Sequence, residues 1–157
     1  MLGRVMNSKF HVVEGELLEK YHEDLIICSA CIGGEIPQHI LNGRMDKAEE
    51  SVLWFKNLFG EDYYLEIQRH ETHDPNAAQD VYPHQVTANK AILELARKHN
   101  IKVIATNDVH FVNAEDAEAH DRLICLSTGK DLDDPNRMRY TKQEWMKTTA
   151  EMNTIFS

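Results

Sequence analysis

No apolar run in this 157-residue sequence approaches the roughly 18 residues that a membrane-spanning helix needs. No signal-peptide pattern opens it. Cysteine is scarce: three residues, an odd number, which argues against a disulfide framework and for a reducing cytosol. Positive charge is short as well. Lys and Arg number 17 against 26 Asp and Glu, a formal net charge of −9. Gripping a phosphate backbone rests on Lys and Arg neutralising phosphates, so this stretch is not expected to hold nucleic acid by itself. No internal repeat or low-complexity tract is visible. What is present suits one folded domain: 42% hydrophobic residues and two tryptophans, on a length that can bury a core.

The most informative stretch is Ile101 to His110, IKVIATNDVH. It opens as a β-branched, apolar strand and ends in side chains that can ligate metal. If the extended form continues, Asp108 and His110 share one face, because a strand has a side-chain period of two. A carboxylate and an imidazole at the end of a buried parallel strand can meet one divalent ion. The alternative is a turn cap at Asp108 and an ordinary surface histidine at His110, since D-x-H alone is a weak motif.

Earlier in the chain, Glu14 to Tyr21 has helical spacing. Leu25 to Cys28 reads as a short buried strand. SACIGGE follows it, with Gly33 and Gly34 allowing a sharp turn. Cys28 and Cys31 form a C-x-x-C, but no second such pair completes a structural zinc site. Cys28 reads as core. Cys31, just past the strand end, is either core filler or a metal ligand. Met45 to Phe59 is an amphipathic helix with Ala48, Val52, Phe55 and Phe59 on its stripe, closed by Gly60.

Tyr63 to Gln68 is the next strand. Tyr64, Glu66 and Gln68 lie on one face and His70 continues it. These polar side chains either support metal ligands through hydrogen bonds or form a solvated edge face. ETHDPNAAQDVYP reads as a loop, with His73 and His84 as surface residues. His84 to His99 is a helix whose stripe is Ala88, Ala91, Ile92 and Leu95. After the Ile101 strand, Asn113 and Asp116 look like a capping box for a helix that ends at Gly129. His120 on that helix has no evident partner. The rest is polar and turn-rich, with a short helix expected near Lys142. Strands alternating with helices imply an α/β fold with parallel pairing through crossovers; periodicity leaves open sheet and barrel segment both standing.

SACIGGEIPQ, YYLEIQRH, ATNDVHFVNAEDAEAHD and TGKDLDDPNRMRY, taken in order, resemble the carboxyl-terminal part of the polymerase-and-histidinol-phosphatase (PHP) domain, in the form carried by bacterial DNA polymerase III alpha subunits. The resemblance implies a partial (β/α)7 PHP-type barrel with parallel strands and crossover helices. It implies a lead-in over 1–24, the PHP part over 25–129, and a polar exit segment toward a polymerase region over 130–157. The family's cysteine ligand falls on Cys31, where the middle residue of the S-G-C-type turn is Ala30 instead of Gly. The late D-x-H pair falls on Asp108 and His110. Glu66, Gln68 and His70 match a family segment without matching a ligand.

The departures are as informative. No H-x-H occurs in the chain, and the family's other early ligands belong upstream. The acidic residues of a polymerase palm belong downstream. The expectation is a fragment of a replicative polymerase, inert alone, holding zinc or manganese weakly at an incomplete site. Magnesium and template-directed nucleotidyl transfer belong to a region outside this chain. The implied partners are the rest of the polymerase III alpha subunit and other replisome subunits, with DNA held only by the parent, in the bacterial cytoplasm. Two alternatives stand beside it: a free-standing metal-dependent phosphoesterase, and a non-enzymatic module that binds another replisome subunit.

Overall fold

The computed structural model describes residues 15–157; residues 1–14 of the expected lead-in lie outside that range. The elements run α1 (Gly15–Tyr21), β1 (Ile27–Cys28), α2 (Glu35–Leu41), α3 (Met45–Phe59), β2 (Tyr63–Ile67), α4 (Val81–His99), β3 (Lys102–Ala105), α5 (Ala117–Thr128) and α6 (Thr149–Phe156). The strands form a sheet in the order β1-β2-β3. β1 and β2 pair in parallel, Ile27 with Tyr63 and Cys28 with Tyr64. The α/β expectation holds at this level, with a small sheet and helical crossovers.

Periodicity located α3 well. Ala48, Val52, Phe55 and Phe59 are all buried, and Gly60 caps the end at φ 57°. Asp46 lies in the first turn and Lys56 in the last, the arrangement a helix dipole favours. Two helix starts differ from expectation for one shared reason. α2 was not foreseen, and α4 begins at Val81 rather than His84. Each carries a proline at its third residue, Pro37 and Pro83. A first-turn N–H has no intrahelical partner, so proline there costs no hydrogen bond.

β1 is shorter than the expected Leu25–Cys28 strand. Leu25 and Ile26 are exposed, because Asp24 turns the chain at φ 62° and only Ile27 and Cys28 reach the ladder. The last helix is also displaced. Lys142 sits at φ 64°, outside helical conformation, and α6 begins at Thr149 behind a capping box of Thr148 and Glu151.

The chain divides into two compact units. Among the described residues the first comprises 15–67 and 87–104, and its interior is mainly apolar. Ile36 and Ile40 of α2 pack with the α3 stripe, with Tyr63 and Leu65 of β2, and with Ala88, Ile92, Leu95 and Ala96 of α4. The Phe55 and Tyr63 rings stack with centroids 5.5 Å apart. At the rim, Glu49 of α3 pairs with Lys98 and His99 of α4, each at 2.6 Å.

The second unit comprises 68–86 and 105–157. Its interior differs in kind. Gln68, His70, Gln85, Asn107, Arg137, Thr141 and Glu144 are all buried there, beside Ala77, Phe111, Ala117, Ile124 and Cys125. Such a unit is held by hydrogen bonds as much as by apolar burial, since each buried polar group requires a partner. Arg137 forks onto Asp121 at 2.6 and 2.8 Å and so ties the DDPNRMRY segment to α5. Asn113 and Asp116 form the expected capping box, and Gly129 ends α5 in the left-handed region.

Candidate functional site

In the first unit the SACIGG turn is built against β2. Ser29 donates its N–H to the Tyr64 carbonyl at 3.0 Å, and its Oγ accepts from Glu66 N–H at 2.8 Å. Ala30 lies at φ 66° and donates its N–H to Glu66 Oε2 at 2.8 Å. Gly34 closes the turn by bonding the Cys31 carbonyl at 2.8 Å. A Cβ on Gly34 would sit 2.6 Å from the Ser29 carbonyl oxygen and 3.1 Å from that of Cys31, so glycine is needed there for space. Burial, reinforced by the Glu66 charge, pushes the Cys28 thiol above its ordinary pKa. Cys31 is half-buried at the head of this turn.

In the second unit the strand alternation does not continue to His110. β3 ends at Ala105, and Asp108 sits in the left-handed region at φ 44°. The turn is clamped by polar contacts instead. Gln68 donates to Thr106 Oγ1 at 3.0 Å. The Asn107 amide donates to the carbonyls of Gln143 and Trp145 at 2.9 and 2.7 Å. His110 donates its main-chain N–H to the Glu144 carbonyl at 2.8 Å. The ring of His70, buried at 2% exposure, bonds the Asn107 carbonyl through Nε2 at 3.2 Å. Gln68 and His70 are therefore not on a solvated edge: β2 is the central strand, and both side chains are buried and partnered.

His110 and Asp108 are exposed. His110 Nδ1 lies 2.6 Å from the Asp108 carbonyl oxygen. A carbonyl only accepts, so Nδ1 carries the proton and Nε2 is left with the lone pair. That is the state in which an imidazole ligates a metal. The rings of His120 and Tyr140 flank it, with centroids 5.4 and 4.7 Å away. Burial lowers the pKa of His120, and His110 lowers it further. Burial also lowers that of His70, against the opposing pull of Glu144 and the Asn107 carbonyl. Glu144 accepts from Thr141 N–H and Oγ1 at 3.0 and 2.6 Å, while its Oε2 is buried with no hydrogen-bond partner among the described residues.

Of the residues singled out by sequence, Cys31 and Glu66 belong to the first unit, and Gln68, His70, Asp108 and His110 to the second. Among the described residues no three His, Cys, Asp or Glu side chains are grouped to hold a metal ion. Sequence reasoning missed Gln85, Asn107, Glu144, His120 and Tyr140. Gln85 left a signal: it precedes Ala88 by three and Ile92 by seven, so it is a polar residue on the buried stripe of α4.

A family model described as PHP domain matches residues 4–70. Those residues therefore belong to the PHP-domain family. The chain as a whole is a homologue of one segment of DNA polymerase III alpha subunits. It is 40% identical over 146 residues to the protein of that name from Borreliella burgdorferi, covering 92% of this chain and 12% of that protein. It is 36% identical over 156 residues to the one from Campylobacter jejuni, covering 92% and 12%, and 37% identical over 144 residues to the one from Thermus aquaticus, covering 91% and 11%. The chain thus spans about an eighth of the length of these relatives. The matched family region takes in Cys31, Glu66, Gln68 and His70 and stops short of Asp108 and His110. Among the described residues no helix is long and apolar enough to cross a membrane.

Proposed function

We propose that this chain is the PHP portion of a replicative DNA polymerase of the polymerase III alpha kind, with a barrel-type fold completed by residues of the parent. The observation that carries this reading is the similarity to polymerase III alpha subunits along nine-tenths of the chain. We keep the domain limits expected from sequence, a lead-in over 1–24, PHP sequence over 25–129 and an exit segment over 130–157, with most of the lead-in falling inside the PHP match at 4–70. The parent performs template-directed nucleotidyl transfer in the bacterial cytoplasm, with the rest of the alpha subunit and other replisome subunits as partners. The acidic chain does not itself hold DNA.

Within that reading Cys31, Asp108 and His110 hold a divalent metal, zinc or manganese. Their sulfur, oxygen and nitrogen donors are the set such ions accept, and the His110 tautomer leaves Nε2 ready to donate. A metal bound there would supply Lewis-acid polarisation of a phosphate oxygen. The chain's own residues do the holding. Glu66 fixes the turn that carries Cys31, and His70 and Asn107 fix the turn that carries Asp108 and His110. With so few ligands the chain alone is inert.

The test has two arms. The coding sequence on either side is read for a continuous frame into a polymerase region. The isolated chain is assayed for phosphate release and 3′-nucleotide release with zinc, manganese or magnesium. A continuous frame with background activity is expected. Activity abolished by Asp108→Ala and His110→Ala overturns the reading in favour of a free-standing phosphoesterase.

A further inference from the structure

Gln85 contacts one histidine twice. It lies on α4, 1% exposed, and its Oε1 accepts the main-chain N–H of His70 at 2.7 Å. That bond fixes the orientation of the amide. Its Nε2, 3.1 Å from His70 Nδ1, must then be the donor and Nδ1 the acceptor. The ring proton is left on Nε2, where the Asn107 carbonyl lies 3.2 Å away. Each contact forces the next, because an amide nitrogen only donates, a carbonyl only accepts, and a neutral imidazole does one of each.

We infer that Gln85 is a positioning residue for the Asp108–His110 pair: it locks His70 as the neutral Nε2–H tautomer, and that tautomer holds the Asn107 carbonyl from which the Asp108 turn departs. The functional consequence rests on the metal-holding reading above; the tautomer and the clamp do not. The opposite tautomer would set Nδ1–H against the Gln85 amide and leave the buried Asn107 carbonyl without this donor. Asp108 needs such support because a left-handed aspartate, at φ 44°, is conformationally unfavourable. The carbonyls of Gln143 and Trp145 hold the Asn107 side chain, and the ring holds its main-chain carbonyl. The charged group nearest to competing for Nδ1 is Glu144, whose Oε1 is 3.9 Å away. Asp108 and Lys147 act on the ring at longer range. The Gln85 amide, at 3.1 Å, is nearer to Nδ1 than the Glu144 carboxylate oxygen.

The test uses the uniformly 15N-labelled 157-residue protein near neutral pH. His70 is expected to show one pyridine-type Nδ1 and one protonated Nε2. Gln85→Glu keeps an acceptor for the His70 N–H and removes the amide donor. It is expected to move a proton onto Nδ1 and to shift the His110 ring and Asp108 amide signals. It is also expected to weaken zinc binding about 10- to 100-fold, the usual effect of losing a residue that orients a ligand. His70→Gln, which can still donate to Asn107, is expected to retain those His110 and Asp108 signals better than His70→Leu.

A wild-type His70 protonated on Nδ1 overturns the inference. So does a Gln85→Glu protein whose His110 and Asp108 signals stay unmoved while His70 changes. Should Gln85→Glu fail to fold, the wild-type tautomer and the His70 pair still decide. Absence of zinc binding by the parent protein counts against the metal reading alone, since the nitrogen signals report the clamp without metal.

Discussion

The backbone amide of Ala30, held at φ 66°, donates to the carboxylate of Glu66 at 2.8 Å. One residue of β2 thereby stabilises a conformation that alanine disfavours by about 1–2 kcal/mol. A hydrogen bond to a charged acceptor contributes about 1.5–3 kcal/mol, enough to offset that cost. This explains how the turn tolerates alanine at a left-handed position that favours glycine.

Ala30→Gly should therefore be neutral to stabilising, by up to about 1 kcal/mol, the αL relief being partly cancelled by the greater freedom of glycine in the unfolded chain. Glu66→Ala should lose about 1–3 kcal/mol by leaving the Ala30 amide unpartnered, and Glu66→Gln less. Urea midpoints read all three. A Glu66→Ala protein as stable as the parent would show that the contact does not hold the turn.

Gly34→Ala should destabilise by about 1–3 kcal/mol, as overpacking does, because the added Cβ meets main-chain oxygen at 2.6 Å and backbone does not yield. Gly33→Ala is the control. Its Cβ would meet Cys31 Sγ at 3.7 Å, an ordinary contact, so its thermal midpoint should stay close to that of the parent. Equal midpoints for the two variants would remove the steric account.

Arg137→Lys should behave as a loss and not as a conservative exchange. The guanidinium makes two parallel bonds to Asp121 and a third to the Leu132 carbonyl, geometry that an ammonium cannot copy. The Asp121 bond also holds the Arg137 pKa above its ordinary value. The expected cost is about 1–3 kcal/mol, seen as earlier proteolysis within 130–140 and a lower urea midpoint. Unchanged proteolysis would place the ordering of this segment elsewhere.

Stability should fall as pH drops below about 6.5. The sign follows from burial: the folded pKa of His70 is lowered, so the unfolded chain binds the proton first and acid favours unfolding. The contribution is complete above the unfolded value and is lost as pH falls from there toward the lowered folded value. His120, lowered in the same direction, adds to it. Carboxylates with lowered pKa, such as Asp74 beside Lys142, lose their contribution only in stronger acid, below about 3.9. His70→Gln should flatten the slope between pH 7 and pH 5 in a urea series; an unaltered slope would assign it to other groups.

Much of this architecture was legible because it is local. The α3 stripe of Ala48, Val52, Phe55 and Phe59 and the Asn113–Asp116 capping box are written in neighbours a turn apart, where helix geometry alone decides who meets whom. The chain's kinship was legible too, from motifs in order. The helix starts at Glu35 and Val81, two residues ahead of Pro37 and Pro83, were hidden because proline reads as a breaker unless the first turn is already known. Whether the extended form continues to Asp108 and His110 was not legible, for another reason. Strand parity assumes extended backbone, and contacts from Asn107 to 143–145, more than 35 residues away, help hold that turn in another form. His120 seemed partnerless on its helix for the same cause: the rings of His110 and Tyr140 reach it only through the tertiary fold. Sequence by itself determined the α3 stripe, the Asn113–Asp116 capping box and the kinship. The tertiary structure decided which polar groups are buried together, because those hydrogen bonds join residues that no local period relates.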